Sequence, residues 1–90
     1  MTAEDEIRSA IRSFATAYRN GDIDALLACY SDDLIKDRAG APSESKAQTA
    51  QRVRQVFRSH RTDIDVQVSE VLVGGDLACV RGAFTVTLLP

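Results

Sequence analysis

The sequence predicts an α+β domain in which helices come first and antiparallel strands follow. Apolar residues recur at helical spacing up to about residue 58, and from Asp63 they alternate strictly with polar residues, as on a strand with one wet face. The turn sequence Gly74-Gly75-Asp76 then separates this strand from another long one, which indicates an antiparallel hairpin. The 90 residues are expected to form one domain, 1–90.

The first helix is predicted from about Ala3 to Asn20. Thr2 and Asp5 form a variant of the capping-box pattern at its start. Gly21 is expected to end it, because glycine adopts the left-handed cap conformation without strain. The inner stripe of this helix follows i, i+4, i+7, i+11 spacing and consists of Ile7, Ile11, Phe14 and Tyr18.

A second, shorter helix, a strand and a loop are predicted next. Asp22 is expected to cap the second helix, which reaches about Tyr30. A short strand follows over 34–38. The glycine and proline within 39–44 break regular structure, so this segment is predicted to be a loop.

The third helix is predicted to begin at Ser45 and to run through about Arg58. Ser45 with Gln48 repeats the capping-box pattern. An arginine stripe at i, i+4, i+7 spacing, formed by Arg54, Arg58 and Arg61, could contact phosphates. Because the chain is acidic overall and no aromatic residues interleave with the arginines, a solvated helix face is the favoured interpretation.

The C-terminal strands carry two features that a plain hairpin lacks. The apolar parity of the strand that starts at Asp63 changes after Ser69, which predicts a β-bulge near Ser69-Glu70 or burial of both faces there. The strand 77–89 is long and apolar, and Arg81 is its one charged residue. Because charged residues discourage pairing at a strand edge, the edge of this strand is expected to need a partner. Its apolar side comprises Ala78, Val80, Phe84, Val86 and Leu88.

Composition and charge exclude several classes of protein. A net charge of −2 gives no reason to expect nucleic acid or an anionic membrane surface as a partner. No apolar run is long enough to span a bilayer, and the acidic segment 4–6 is unlike a secretion signal, which together predict a cytoplasmic protein. Cys29 and Cys79 are then expected to be small buried thiols.

One segment resembles a known superfamily. In 20–34, Gly21-Asp22 separates two amphipathic helices and Asp32-Asp33 precedes a strand, an order similar to that of the nuclear transport factor 2-like superfamily. Segments 34–41 and 44–47 resemble its SnoaL-like branch of uncharacterised members. The resemblance implies three helices on a curved, cone-like antiparallel sheet with a pocket between them. It also implies that the last strands are missing here, either because the member is shortened or because another copy supplies them.

The resemblance argues against one activity of the superfamily. Ketosteroid isomerases need a tyrosine on the first helix, a catalytic aspartate on the first strand and a protonated aspartate on a late strand. Phe14 and Arg38 stand at the first two positions, and the third would lie beyond Pro90. Since phenylalanine cannot donate a hydrogen bond and arginine cannot accept a proton, steroid isomerisation is not expected.

Candidate ligand-binding residues are aromatic side chains on the apolar faces and two arginines. The aromatic candidates for the pocket lining are Phe14, Tyr18, Tyr30, Phe57 and Phe84. The three phenylalanines are expected to belong to the core and could line the cavity as well, and an ordinary core or rim position is the favoured interpretation of the two tyrosines. Arg38 is expected to bind an acidic group on the ligand, and Arg81 could join it if the bulge turns it inward. Asp37 points to the opposite face from Arg38 on an ideal strand, and is a general base only if it enters the pocket.

No metal or cofactor is expected. The single histidine, His60, lacks partners at ligand spacing and fits a cation at the end of the third helix. Two function classes stay open. The first is a domain that binds a small apolar or amphipathic ligand, dimerises through its sheet, or both. The second is a small enzyme of the isomerase, cyclase or hydrolase kind with an unidentified acid–base set.

Overall fold

The computed structural model describes residues 2–90 and has the predicted α+β architecture. Its helices are α1 (Ala3–Asn20), α2 (Ile23–Ala28) and α3 (Lys46–Ser59). Its strands are β1 (Ile35–Arg38), β2 (Ala41–Ser45), β3 (Arg61–Gly74) and β4 (Leu77–Leu89). In the described part of the chain, no helix is long and apolar enough to cross a membrane.

The helix caps form as the local sequence predicts. The Thr2 hydroxyl accepts a hydrogen bond from the backbone N–H of Asp5, and the Asp5 carboxylate accepts one from the backbone N–H of Thr2. Gly21 has a φ of 64° and its N–H reaches back to the last turn of α1. Asp22 caps α2 by accepting from Ala25 N–H at 3.1 Å. These contacts satisfy helix-end groups that would otherwise lack partners.

The segment predicted as a loop contains β2, so that prediction was wrong from Ala41 onward. β2 pairs antiparallel with β1, and Lys36 lies opposite Glu44. The glycine and proline that predicted a loop lie in and next to a tight turn between two strands, where Gly40 takes a φ of 72°. Pro42 is tolerated because a two-stranded ribbon leaves each strand one free edge. Ser45 ends β2 and caps α3 in the predicted capping box.

The β3–β4 hairpin is a second, separate antiparallel ribbon. Its register shifts between Val68 and Glu70, which confirms the predicted bulge. Gly82 lies opposite Val68, and a Cβ atom on Gly82 would stand 2.2 Å from the carbonyl oxygen of Gln67. The strands therefore approach so closely at the bulge that no side chain fits there.

The core lies where α1 packs on β3 and α2 packs on α1 and α3. Its buried apolar residues form one cluster of Ala15, Ala17, Tyr18, Leu26, Val53 and Ile64. Phe14 and Phe57 are partly buried against it. Phe84 is 70% exposed, so the expectation that it belongs to the core was wrong. The reason is that α1 packs on β3, whereas β4 packs chiefly on β3.

The cysteine prediction also needs correction. Cys29 and Cys79 are both exposed free thiols rather than buried ones. Cys29 ends α2, where its Sγ lies 3.4 Å from the carbonyl oxygen of Ala25. Cys79 lies on β4, most of which faces solvent.

Candidate functional site

An open cavity of about 870 Å³ lies between the helices and the β3–β4 hairpin. Its walls come from α1, β1, α3 and both strands of the hairpin. The hairpin wall is mainly apolar, because alternate residues of a strand share one face. The apolar residues that it contributes are Ile64, Val66, Val68, Val80, Ala83, Phe84, Val86 and Leu88.

Five of the residues predicted to bind ligand line this one cavity: Phe14, Tyr18, Tyr30, Arg38 and Phe84. Three of them form an aromatic cluster on the helix side. The ring of Phe14 lies 6.1 Å from that of Tyr18 and 5.8 Å from that of Tyr30, the latter edge to face. Edge-to-face and offset arrangements are those that aromatic rings prefer. The helix wall is therefore aromatic and held by packing.

The structure places the other two predicted residues, Phe57 and Arg81, outside the lining of this cavity. Phe57 stacks edge to face on Tyr18 at 5.4 Å and lines a second hollow of about 420 Å³ with His60. Arg81 falls between Val80 and Gly82, which both line the cavity, so the alternation of β4 directs it to the opposite face. The bulge does not turn Arg81 inward.

Charged side chains gather at the β1 end of the cavity. We define the charged cluster as Lys36, Arg38, Glu44 and Arg52. Glu44 accepts hydrogen bonds from Arg52 Nε at 2.9 Å and Arg52 Nη2 at 3.1 Å, and Arg38 Nη2 lies 3.6 Å from it. The Glu44 side chain is only 11% exposed. Its hydrogen bonds from Arg52 hold the pKa of Glu44 below its usual value.

Lys36 projects from β1 beside the aromatic cluster. Its Nζ donates to the hydroxyl of Tyr30 at 3.3 Å and lies 5.6 Å from the centre of the Tyr30 ring. Burial lowers the pKa of Lys36, and the nearby Arg52 guanidinium lowers it further. Burial also raises the pKa of Tyr30 to about 12, so the phenol stays protonated at neutral pH.

Both Asp37 and Arg38 line the cavity, although an ideal strand would direct them to opposite faces. The register of the β1–β2 ribbon shifts between Lys36 and Arg38, and this irregularity relaxes the alternation. The Asp37 carboxylate accepts a hydrogen bond from the Ser43 hydroxyl. Asp37 is therefore a carboxylate at the rim of the cavity.

Sequence reasoning missed Lys36, Glu44 and Arg52. Lys36 lies two residues before Arg38, a spacing that places both on one strand face and could have revealed it. Glu44 was hidden because its segment was taken for a loop. Among residues 2–90, no three His, Cys, Asp or Glu side chains are grouped so that they could hold a metal ion.

The model of the SnoaL-like domain family matches residues 11–90. The chain belongs to the SnoaL-like domain family. Its fold is that of the nuclear transport factor 2-like group, as the resemblance implied. No curated protein matches the chain significantly.

Solved structures share the fold. A conserved protein from Planctomyces limnophilus superposes with a TM-score of 0.88 at 18% identity, over 97% of this chain and 70% of that one. A ketosteroid isomerase-like protein from Erwinia carotovora atroseptica superposes with a TM-score of 0.72 at 29% identity, over 91% of this chain and 72% of that one. An LEH-like epoxide hydrolase from M. tuberculosis superposes with a TM-score of 0.63 at 21% identity, over 89% of this chain and 59% of that one. The chain thus spans about three-fifths to three-quarters of these proteins.

Proposed function

We propose that this SnoaL-like domain binds a small apolar ligand that carries an acidic group. The observation that carries the proposal is the polarity of the cavity, which has aromatic and aliphatic walls and the charged cluster at one end. A cavity of about 870 Å³ is within the range of small-molecule sites, which are mostly apolar with a few placed polar groups. Such a cavity fits a ligand with an apolar body and one charged end.

The charge of the cluster favours an acid over a base. Lys36, Arg38 and Arg52 are three cationic side chains, and Glu44 is the single carboxylate among them. The Glu44 carboxylate is engaged chiefly by Arg52, since Arg38 is farther away and its side chain is 40% exposed. Arg38 therefore has donors to offer a ligand carboxylate. A charge-assisted hydrogen bond of this kind is worth about 1.5–3 kcal/mol, or about one to two decades in affinity.

The test is calorimetric titration with an apolar carboxylic acid and with its amide or alcohol analogue. The acid is expected to bind about 10- to 100-fold more tightly than the analogue. Arg38→Met should remove this preference, because it deletes the charge and keeps an apolar side chain of similar length. Arg54→Met is the matched control, since Arg54 is an exposed residue of α3 outside the cavity lining.

Two results would contradict this proposal. Equal affinity for the acid and its neutral analogue would leave only an apolar cavity. Unchanged binding of the acid by the Arg38→Met variant would show that Arg38 is not the contact.

We also propose that the protein forms a homodimer through the β3–β4 hairpin, and that it acts in the cytoplasm. In the described part of the chain, β4 pairs with β3 on one side only, and large apolar side chains are exposed along the hairpin. Leu77 is 79% exposed and Phe84 is 70% exposed. Sedimentation or light scattering at micromolar concentration should give a dimer. A stable monomer at these concentrations would refute the homodimer.

An enzyme is the second candidate, and the Lys36–Tyr30 contact favours it. The pair combines an amine and a protonated phenol at the wall of an apolar cavity. Proteins of similar fold include ones described as a ketosteroid isomerase-like protein and a putative polyketide cyclase, and these descriptions support an enzyme as the second candidate. A steroid isomerase remains the less favoured enzyme class, since Phe14 and Arg38 lack the groups that this reaction uses.

A further inference from the structure

The chain has only two lysines, and their amines lie in contrasting surroundings. Lys46 Nζ lies 3.1 Å from the Asp32 carboxylate and 3.1 Å from the carbonyl oxygen of Tyr30. Lys36 Nζ donates to the Tyr30 hydroxyl and makes no ion pair within residues 2–90. Lys36 lines the cavity and Lys46 does not. Lys36 is therefore the candidate for a reactive amine, and Lys46 serves as the reference lysine within the same chain.

The groups around Lys36 lower the pKa of its amine, so a larger share of Lys36 is uncharged than of a lysine in water. Arg38 on β1 and Arg52 on α3 place like charges near it, and partial burial removes water. Glu44 on β2 favours the charged form, but its carboxylate already accepts two hydrogen bonds from Arg52. The β3–β4 hairpin adds mainly apolar side chains to this cavity. A lysine that is desolvated and set beside other cations is the kind that acts as a nucleophile.

We propose that Lys36 is a nucleophile that forms an imine with the carbonyl group of an apolar aldehyde or ketone bound in the cavity, with Tyr30 as the proton donor. The lone pair of Nζ adds to the carbonyl carbon while the carbonyl oxygen takes the phenolic proton of Tyr30, and the nitrogen then gives one proton to the Tyr30 phenolate, which leaves a neutral carbinolamine. In the second half Tyr30 protonates the hydroxyl group, which departs as water as the nitrogen lone pair forms the C=N bond, and the remaining nitrogen proton returns to the Tyr30 phenolate. The sum is amine plus carbonyl giving imine plus water, with no oxidant or reductant.

The position of Tyr30 suits this role. Its hydroxyl is 3.3 Å from Nζ, so it lies beside the carbonyl oxygen once the carbon has bonded to nitrogen. It stays protonated at neutral pH, as its raised pKa requires, and can therefore donate. The inference uses the same cavity as the proposed function but does not depend on an acidic group of the ligand or on a contact between Arg38 and the ligand.

The experiment traps the imine in the 90-residue protein. Hexanal, which is apolar and has no acidic group, is added with sodium cyanoborohydride, which reduces an imine to a stable secondary amine. Peptide mapping by mass spectrometry then locates the alkyl group. The variants are Lys36→Arg and Lys46→Arg, and the α-amino group present in every variant is the internal reference for labelling.

We expect the label at Lys36 to exceed that at Lys46, and to be lost in Lys36→Arg but kept in Lys46→Arg. Tyr30→Phe keeps the ring and removes the hydroxyl, so labelling of Lys36 should slow while that of the α-amino group does not change. Equal labelling of the two lysines, or labelling of Lys46 alone, would overturn the proposal. An unchanged rate in Tyr30→Phe would overturn the role of the phenol. Neither result depends on whether the cavity prefers acids, which the calorimetry with Arg38→Met decides.

Discussion

Replacement of Gly82 by alanine tests how the bulge shapes the hairpin and the cavity. The new Cβ would stand 2.2 Å from the carbonyl oxygen of Gln67 and 3.2 Å from the Cα of Val68. Both neighbours are backbone atoms of the paired strand, which cannot rotate away as a side chain can. The contact must lengthen from 2.2 Å to at least 3.0 Å, so the two strands have to separate at the bulge.

The magnitude follows from the cost of overpacking. Forcing extra atoms into a filled space costs about 1–3 kcal/mol. For a domain of 60–100 residues each kcal/mol lowers the melting temperature by about 4–8 °C, so we expect Gly82→Ala to melt about 5–20 °C below the native protein. Gly82 also lines the cavity, so the displaced strand should weaken binding of any ligand held there.

Gly74→Ala is the matched control in the same hairpin. No atom lies within 4 Å of a Cβ added at Gly74, and its φ is not positive. Alanine there should change stability little, or raise it by up to about 1 kcal/mol because the unfolded chain loses freedom. Thermal and urea unfolding followed by circular dichroism measures both variants. If the free energies of unfolding of Gly82→Ala and Gly74→Ala differ by less than about 0.5 kcal/mol, the close approach of the strands at Gly82 does not limit stability and the prediction is wrong.

Three further predictions concern the core and the charged cluster. Leu26→Ala should cost about 2–5 kcal/mol in urea unfolding because Leu26 is fully buried. Phe84→Ala should cost less than about 1 kcal/mol when unfolding is measured at a concentration too low for the proposed dimer, because its ring is mostly exposed in the single chain; equal losses under this condition would contradict the placement of the core. Thr62→Val should cost about 1–3 kcal/mol, since it removes the buried hydrogen bond of 2.6 Å to the carbonyl oxygen of Tyr18, and an unchanged melting temperature would refute this. The pKa of Glu44 is lower in the folded protein than its ordinary 4.5, so its contribution to stability is present above that pH and is lost as the pH falls below it. The free energy of unfolding of Glu44→Gln should therefore fall less steeply than that of the native protein as the pH is lowered through this range. Equal slopes for the two proteins would contradict this prediction.

The sequence by itself determined the features that depend on residues close together in the chain. Thr2 with Asp5 and Ser45 with Gln48 form caps between residues three apart, and Gly21 ends α1 through its own φ. These interactions need no distant partner, so their patterns predict them directly. The bulge near Ser69-Glu70 was also predictable, because a change of parity within one strand is visible in the apolar pattern.

Only the tertiary structure decided which elements cover one another. Phe84 has an apolar side chain at the spacing of a core residue, yet it is exposed because α1 packs chiefly on β3. The charged cluster joins Lys36 on β1, Glu44 on β2 and Arg52 on α3, which no spacing in the sequence relates. An apolar pattern fixes which side of an element avoids water. It does not fix which neighbour supplies the cover, because that depends on contacts between residues far apart in the chain.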